Sequence, residues 1–323
     1  MAIGVSSLVW LSCSLEAALI PSNGMGKLAE LPSLLAIATP EASSVNWLME
    51  LFQAFVLGIV QGITEFLPIS STAHLQVFTK AMGWSTVGAK PFVATIQFGS
   101  VIAVLIYFWS DISTILSGGW QAAQKRDWQR EEWKLLVGIV VGTIPALAGG
   151  FLLKNVLNDD GSIVNQMTTI AIASIVMALL LGAAENLGNR KRDFSLLQIQ
   201  DGILIGLGQM LALVPGVSRS GSTLTTALFL GLERQTAARF SFLLGLPTLA
   251  IATLYEFFKE ALGQIDLSLM LVGTLSAFIF SYLSIAWLLR YLQNRNTWIF
   301  VWYRLGFGAV ILAAVAAGVL RNT

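Results

Sequence analysis

The hydrophobic positions of this sequence fall into long, nearly uninterrupted stretches that are separated by short polar loops. A helix that crosses a bilayer needs about 20 mostly apolar residues. Six stretches meet that requirement and are predicted to be membrane-spanning helices: Phe92 to Trp109, Lys134 to Leu153, Met167 to Ala184, Phe240 to Phe258, Leu267 to Leu289 and Trp298 to Leu320. The pattern therefore predicts an all-α, polytopic integral membrane protein.

Two further stretches, Leu51 to Val77 and Ile203 to Leu232, are equally apolar on average but contain an interruption. Pro68 interrupts the first, and Pro215 with Gly216 interrupts the second. A proline lacks the backbone N–H of a helical hydrogen bond, and its ring clashes with the preceding turn. Each stretch is therefore predicted to be broken.

The positive charges of the loops predict the orientation of the helices, because Lys and Arg favour the cytoplasmic side. The loop near Asp159 and Asp160 carries one lysine, Lys154, whereas three other loops carry clusters. Counting crossings between the loops makes each broken stretch enter and leave on one side, as two re-entrant hairpins from opposite faces. The predicted cytoplasmic clusters are Lys125, Arg126 and Arg130; Arg190, Lys191 and Arg192; and Arg290 with Arg295.

The two halves of the chain, about 48–190 and 196–323, resemble each other. Each half contains one broken stretch and three spanning helices, and short sequences recur in the same order. GIVQGITEFLP from Gly58 resembles GLGQMLALVP from Gly206, and LVGIVVGTIPALAGG from Leu136 resembles LVGTLSAFIFSYLS from Leu271. Because each half crosses the membrane an odd number of times, the second half has the opposite orientation in the membrane. This predicts an inverted repeat whose broken segments meet near the bilayer midplane and form the site.

Composition and the N-terminal region narrow the picture further. Of the 323 residues, 55% are hydrophobic and 11% charged. The net charge of +1, with no basic cluster beyond short loops, argues against a nucleic-acid partner. The single cysteine, Cys13, excludes an internal disulfide and a multi-cysteine metal site. Residues 1–47 are weakly apolar and are predicted to be an extension outside the fold, with 48–323 as one membrane domain.

Polar side chains collect at the two predicted breaks. Gln61 and Glu65 are four positions apart and share one helix face ahead of Pro68, and hydroxyl residues follow both breaks. Such residues can be purely structural, because Ser and Thr in membrane helices often bond neighbouring helices. Ionisable groups at lipid depth are costly, however, and together they favour a functional site. The candidates are Gln61, Glu65, Ser70, Ser71, Thr72 and His74 at the first break, and Ser218, Arg219, Ser220 and Thr223 at the second.

This set of residue types suits a phosphate or diphosphate ligand. An arginine and helix N-termini bind phosphate oxygens, and a carboxylate can hold Mg²⁺ or Ca²⁺ against them. A serine beside a histidine can attack phosphorus while the histidine moves the proton. The residues alone leave two functions open: a membrane phosphatase, or a transporter or flippase of a carrier lipid or another phosphorylated solute.

Two long segments resemble a known family. QGITEFLPISSTAHL and PGVSRSGSTLTTALFLGLERQTAARFSFLLGLP closely resemble the signature regions of the bacterial undecaprenyl-diphosphate phosphatases, the bacitracin-resistance phosphatases. The similarity runs from about Trp47 to the C-terminus. The family has Glu or Gln at the position of Gln61. Because this chain has Gln there, Glu65 is the one carboxylate of the pair. Ala73 replaces the glycine of the family's SSTGH.

The resemblance implies hydrolysis of undecaprenyl diphosphate to undecaprenyl phosphate and inorganic phosphate, which recycles the carrier lipid of peptidoglycan synthesis and confers bacitracin resistance. It also implies a bacterial inner-membrane location, a site that opens to the periplasm, and a homodimer. By this resemblance Glu65 serves metal or acid–base chemistry and Arg219 binds the diphosphate. Ser71 is the leading nucleophile with His74 as its base, and water activated by Glu65 or His74 is the alternative. The remaining candidates, Gln61, Ser70, Thr72, Ser218, Ser220 and Thr223, are expected to bind substrate.

Overall fold

The computed structural model describes residues 40–84, 90–153, 162–261 and 266–322, and residues Met49–Thr323 form one compact unit. Most of the predicted extension and the loop of Asp159 lie outside the described residues. Within the described ranges the chain is helical and has no β-strand. The α-helices are α1 Pro40–Phe66, α2 Ser71–Met82, α3 Lys90–Tyr107, α4 Trp109–Lys125, α5 Glu131–Leu152, α6 Met167–Leu187, α7 Ile199–Met210, α8 Arg219–Phe229, α9 Arg234–Glu256, α10 Leu267–Asn294 and α11 Trp298–Ala316.

Six of the described helices are long and apolar enough to cross a membrane. They are Asn46–Phe66 within α1, then α5, α6, α9 with its continuation to Lys259, α10 and α11. The last five correspond to predicted spanning helices, which confirms an all-α, polytopic membrane protein. The sixth predicted span, Phe92 to Trp109, corresponds to α3, and α3 meets the criterion only together with α4.

The pattern of long apolar stretches predicts no helix between Trp109 and Lys125. The structure shows a helix there, bent by 66° from α3. Its buried face is made largely of small residues, including Gly118 and Gly119, which lie against Glu132 and Leu136 of α5. A helix whose core face is narrow and made of small residues has a low average hydrophobicity. It therefore does not stand out in the sequence as a long apolar stretch.

Both predicted breaks are present. Helix α1 ends at Phe66 and α2 begins at Ser71, while α7 passes into a 3₁₀ turn, Leu211–Leu213, before α8 begins at Arg219. The two arms of the first hairpin differ in length, since α1 alone is long enough to span and α2 has 12 residues. The faces from which the hairpins enter stay a prediction.

The two breaks have the same backbone design, as the inverted repeat predicts. Ser70 and Ser218, at positions 148 apart, are the N-caps of α2 and α8 and have φ angles of 77° and 74°. Each serine hydroxyl accepts a hydrogen bond from the backbone N–H three residues on, at Ala73 and Gly221 respectively. Non-glycine residues rarely adopt this left-handed region, so its occurrence at both equivalent positions supports the repeat.

The first arm of each hairpin packs closely on a spanning helix of the other half. A Cβ on Gly142 of α5 or on Gly206 of α7 would overlap backbone of the facing helix. The crossing of α1 with α10 is equally close. A Cβ on Gly62 of α1 would lie 2.7 Å from the carbonyl oxygen of Ala277 on α10. Small residues allow helix backbones in membranes to approach this closely. These crossings fix the positions of α1 and α7, whose ends carry the breaks.

The loop before α7 anchors both ends of the second hairpin. Arg192 Nη1 donates to Asp201 Oδ1 at the start of α7, at 2.9 Å, and to the carbonyl oxygen of Leu230 just after α8, at 3.1 Å. The hydrogen bonds to Asp201 raise the pKa of the Arg192 guanidinium above its ordinary value. This pair ties the hairpin closed at the end far from its break.

Candidate active site

The two breaks meet inside the protein. Arg219 Nη2, at the start of α8, lies 3.0 Å from Glu65 Oε1, at the end of α1, and the two side chains are 14% and 6% exposed. Beside them, Ser220 Oγ donates to the carbonyl oxygen of Leu67 at 2.9 Å. The carboxylate of one hairpin and the arginine of the other therefore form a single buried centre.

Glu65 is the hub of this centre. Its Oε2 accepts hydrogen bonds from Ser71 Oγ at 2.7 Å and from Gln61 Nε2 at 3.0 Å, while Oε1 faces Arg219. A serine hydroxyl that donates to a carboxylate is arranged to lose its proton to that carboxylate. The geometry thus places the Glu65 carboxylate, and not the His74 ring, beside the Ser71 hydroxyl.

A cavity of about 100 Å³ lies between the breaks. The N-terminal ends of α2 and α8 both reach it, and the backbone N–H groups of Ser71 and Arg219 have no acceptor among the described residues. Helix N-termini attract anions through such free N–H groups and the helix dipole. The polar lining consists of Glu65, Ser70, Ser71, Thr72, Gln97, Ser218 and Arg219.

His74 does not reach Ser71. Its Nδ1 donates to the carbonyl oxygen of Ser70 at 2.7 Å, its Nε2 accepts from the Tyr303 hydroxyl at 2.7 Å, and its ring stacks on Phe307 with centroids 4.1 Å apart. Both ring nitrogens are occupied and the ring faces α11. The geometry therefore separates His74 from the serine for which it was the expected base.

Three of the predicted substrate-binding residues lie outside the cavity lining. The Ser220 hydroxyl bonds the backbone of the first break, and Thr223 Oγ1 donates to the carbonyl oxygen of Arg219 at 2.8 Å. Gln61 is fully buried and contacts Glu65. Ser70, Thr72 and Ser218 do line the cavity. The structure thus divides the predicted set into groups around the ligand space and groups that hold the hairpin tips together.

Sequence reasoning missed Arg304, which lies on α11 and is 1% exposed. Its guanidinium donates to the carbonyl oxygens of Pro68 at 2.9 Å, Gly216 at 2.7 Å and Val217 at 3.0 Å, and its Nε donates to Ser174. The Pro68 carbonyl lies at the first break, and those of Gly216 and Val217 lie at the second. A lone arginine inside an otherwise apolar spanning helix was the signal that could have identified it.

The guanidinium of Arg219 lies over Gly245 of α9. A Cβ on Gly245 would overlap Arg219 Nη1 and would lie 3.6 Å from Gln209 Oε1. A glycine is therefore required there for the guanidinium to lie in its present place beside Glu65.

A buried arginine, a serine paired with a carboxylate and two helix N-termini surround one cavity at the breaks of a polytopic membrane protein. These features are typical of a site for a phosphorylated ligand in an integral membrane protein. Comparison with known proteins agrees: residues 54–310 match the family described as "Bacitracin resistance protein BacA". The chain belongs to this family.

Several curated relatives share most of their length with this chain. A protein named undecaprenyl-diphosphatase from Thermosynechococcus vestitus is 57% identical over 271 residues, which cover 84% of this chain and 97% of that protein. Proteins of the same name from Synechococcus sp. (strain JA-3-3Ab) and Trichodesmium erythraeum are 54% and 52% identical, each over 85% of this chain and over 98% and 89% of their own length.

Replacement of Gly245 by alanine tests the position of Arg219. We expect the added methyl group to push the guanidinium away from Glu65 and to lower the rate of phosphate release from a polyprenyl diphosphate by about 100-fold, the effect of losing one transition-state donor. Thermal stability should be kept, because alanine favours a helix interior over glycine by about 1 kcal/mol.

Gly150→Ala is the matched control, since a Cβ there would meet only Leu213 Cδ2 at an ordinary 3.5 Å. Full activity of Gly245→Ala would show that Arg219 need not lie over α9.

Proposed function

We propose that this chain is a membrane phosphatase that hydrolyses undecaprenyl diphosphate to undecaprenyl phosphate and inorganic phosphate. In a bacterial inner membrane this reaction recycles the lipid carrier of peptidoglycan synthesis and confers resistance to bacitracin. The observation that carries the proposal is the contact of Arg219 with the Glu65–Ser71 pair inside a cavity lined by two helix N-termini. The shared family and the name of the relatives support it.

In the proposed mechanism the terminal phosphoryl group enters the cavity and takes the Arg219 guanidinium as its partner. Arginine binds phosphate oxygens through parallel hydrogen bonds. Ser71 Oγ then attacks the terminal phosphorus, its proton passes to Glu65, and the bond from that phosphorus to the bridging oxygen breaks. The electron pair leaves with polyprenyl phosphate.

The second step releases the phosphoryl group from Ser71. A water molecule takes the position of the leaving group and attacks the same phosphorus. Glu65 returns its proton to Ser71 Oγ as the Oγ–P bond breaks, and both hydrogens of the water depart with inorganic phosphate. Glu65 is placed to serve both steps, since Ser71 Oγ lies 2.7 Å from its Oε2. Direct attack by a water activated by Glu65 is the alternative, and it needs no phosphoserine.

The polyprenyl chain of the substrate needs an apolar surface that begins near the cavity. A groove of about 300 Å³ lies along α1 and α10, lined by Ile63, Leu67, Phe280, Leu283, Ser284 and Trp287. Ile63 and Leu67 flank Glu65 in sequence, and the Leu67 carbonyl accepts the hydrogen bond from Ser220. The groove therefore starts at the break that carries the carboxylate, and we assign the first isoprene units to it.

A divalent cation, Mg²⁺ or Ca²⁺, is part of the proposal. The described residues include no group of three or more His, Cys, Asp or Glu side chains that could hold a metal ion. The protein would therefore offer one carboxylate, Glu65, whose Oε1 accepts one hydrogen bond, from Arg219, and has room for a second partner. Glu65 and the neighbouring Ser71 hydroxyl would hold the ion, with the diphosphate oxygens and water as its other ligands. When bound, the ion would withdraw charge from the phosphoryl oxygens.

Purified full-length protein in detergent tests the function directly. We expect it to release phosphate from undecaprenyl diphosphate, and a chelator to reduce the rate until Mg²⁺ or Ca²⁺ is restored. A transporter or flippase would release none, because detergent leaves no second compartment. Full activity in excess chelator would remove the cation from the proposal without affecting the phosphatase.

Variants of the centre test the assigned roles. Glu65→Gln and Arg219→Ala are each expected to lower the rate of phosphate release by at least about 100-fold while the protein stays folded. Gln61→Ala should cost about tenfold, because it removes one hydrogen bond to Glu65.

A rapid quench should trap phosphoserine at position 71 in the wild-type protein. Its absence, together with turnover by Ser71→Ala, would establish the direct attack of water.

The resemblance to the family supports a cavity that opens to the periplasm, and a homodimer. Since Cys13 is the only cysteine, a Cys13→Ser background allows single introduced cysteines to be labelled. We expect a membrane-impermeant thiol reagent to label Thr72→Cys, at the cavity, in intact cells, and Ser195→Cys only after lysis. The opposite pattern would place the cavity on the cytoplasmic side. The mass of the protein–detergent complex would show the oligomeric state.

A further inference from the structure

The two halves place side chains of different size beside the cavity. Ser71 and Arg219 correspond, because each directly follows an N-cap serine. In the second half the long Arg219 extends over Gly245 and fills the space. In the first half Ser71 is short, and the long Gln97 of α3 lines the cavity together with it.

The amide of Gln97 is held in one orientation. The hydroxyl of Thr253, which is fully buried on α9, donates to Gln97 Oε1 at 3.3 Å. No described residue accepts a hydrogen bond from Gln97 Nε2. A primary amide nitrogen has two N–H donors, so Gln97 offers both of them to a ligand in the cavity.

We propose that Gln97 is a substrate-binding residue that donates to the phosphoryl group attacked by Ser71. This rests on the proposed phosphatase function and extends it. Arg219 arises from the second hairpin and Gln97 from α3 of the first half, so the two side chains hold the phosphoryl group from different elements. The amide is neutral, so it can bind phosphate oxygens without competing with Arg219 for the Glu65 carboxylate.

The test compares Gln97→Leu and Gln97→Glu with the wild-type protein by phosphate release from farnesyl diphosphate. Gln97→Leu removes a hydrogen bond to a charged group, and we expect kcat/KM to fall by about 10- to 100-fold. Gln97→Glu keeps the size of the side chain but places a carboxylate against the diphosphate, so its loss near neutral pH should be larger.

The pH dependence separates binding from a structural role. When the introduced glutamate is protonated it regains one donor, so the activity of Gln97→Glu relative to wild type should rise as the pH falls. Gln124→Leu, which changes an exposed amide on α4, is the matched control and should be fully active. Thr253→Val removes the group that orients the amide and should cost only a few-fold.

Wild-type kcat/KM in both Gln97 variants, or a Gln97→Glu to wild-type ratio that does not change with pH, would overturn the inference. These results are distinct from a failure of the proposed function, in which the wild-type protein itself releases no phosphate.

Discussion

The arrangement of the site depends on Arg304. A broken helix leaves carbonyl groups without their helical N–H partners, and at membrane depth each unsatisfied group costs several kcal/mol. Arg304 supplies donors to Pro68 at one break and to Gly216 and Val217 at the other. One side chain therefore supplies hydrogen-bond donors to the carbonyls of both breaks, and it holds the two hairpin tips at a fixed distance from each other. The positive charge has no carboxylate partner among the hydrogen bonds of the described chain, so it also favours an anion in the neighbouring cavity.

The inverted repeat provides a symmetric frame for an asymmetric centre. Both breaks use a serine N-cap with positive φ, and both first arms lie in glycine crossings. Within that frame the position after the cap is Ser71 in one half and Arg219 in the other. A symmetric pair of arginines would repel each other, and a symmetric pair of serines would give no counter-charge for Glu65. The different residues at equivalent positions therefore turn a structural repeat into a reactive site.

The sequence predicted the parts of this structure that follow from local chemistry. Proline and glycine located both breaks, and the cost of ionisable groups in lipid predicted that Glu65 and Arg219 would meet. It failed where tertiary contacts decide. Helix α4 was missed because its small-residue face is recognised only when α5 covers it. The family resemblance paired His74 with Ser71, whereas in the structure its ring stacks on Phe307 and faces α11. Gln97 is remote from both motifs, and only the fold brings α3 to the cavity.

In the proposed mechanism the contacts of Glu65 link binding to reaction. Before substrate binds, the Arg219 guanidinium neutralises the carboxylate, and the centre carries no net charge that would need water. A diphosphate draws the guanidinium toward its own oxygens, because it carries more negative charge than a single carboxylate. Glu65 then loses its counter-charge in a buried place while Ser71 Oγ still donates to its other oxygen. Glu65 would accept the serine proton as Ser71 Oγ bonds to phosphorus, and the negative charge would leave with the polyprenyl phosphate. The ion pair of Glu65 with Arg219 would thus couple the activation of Ser71 to the arrival of a phosphoryl group.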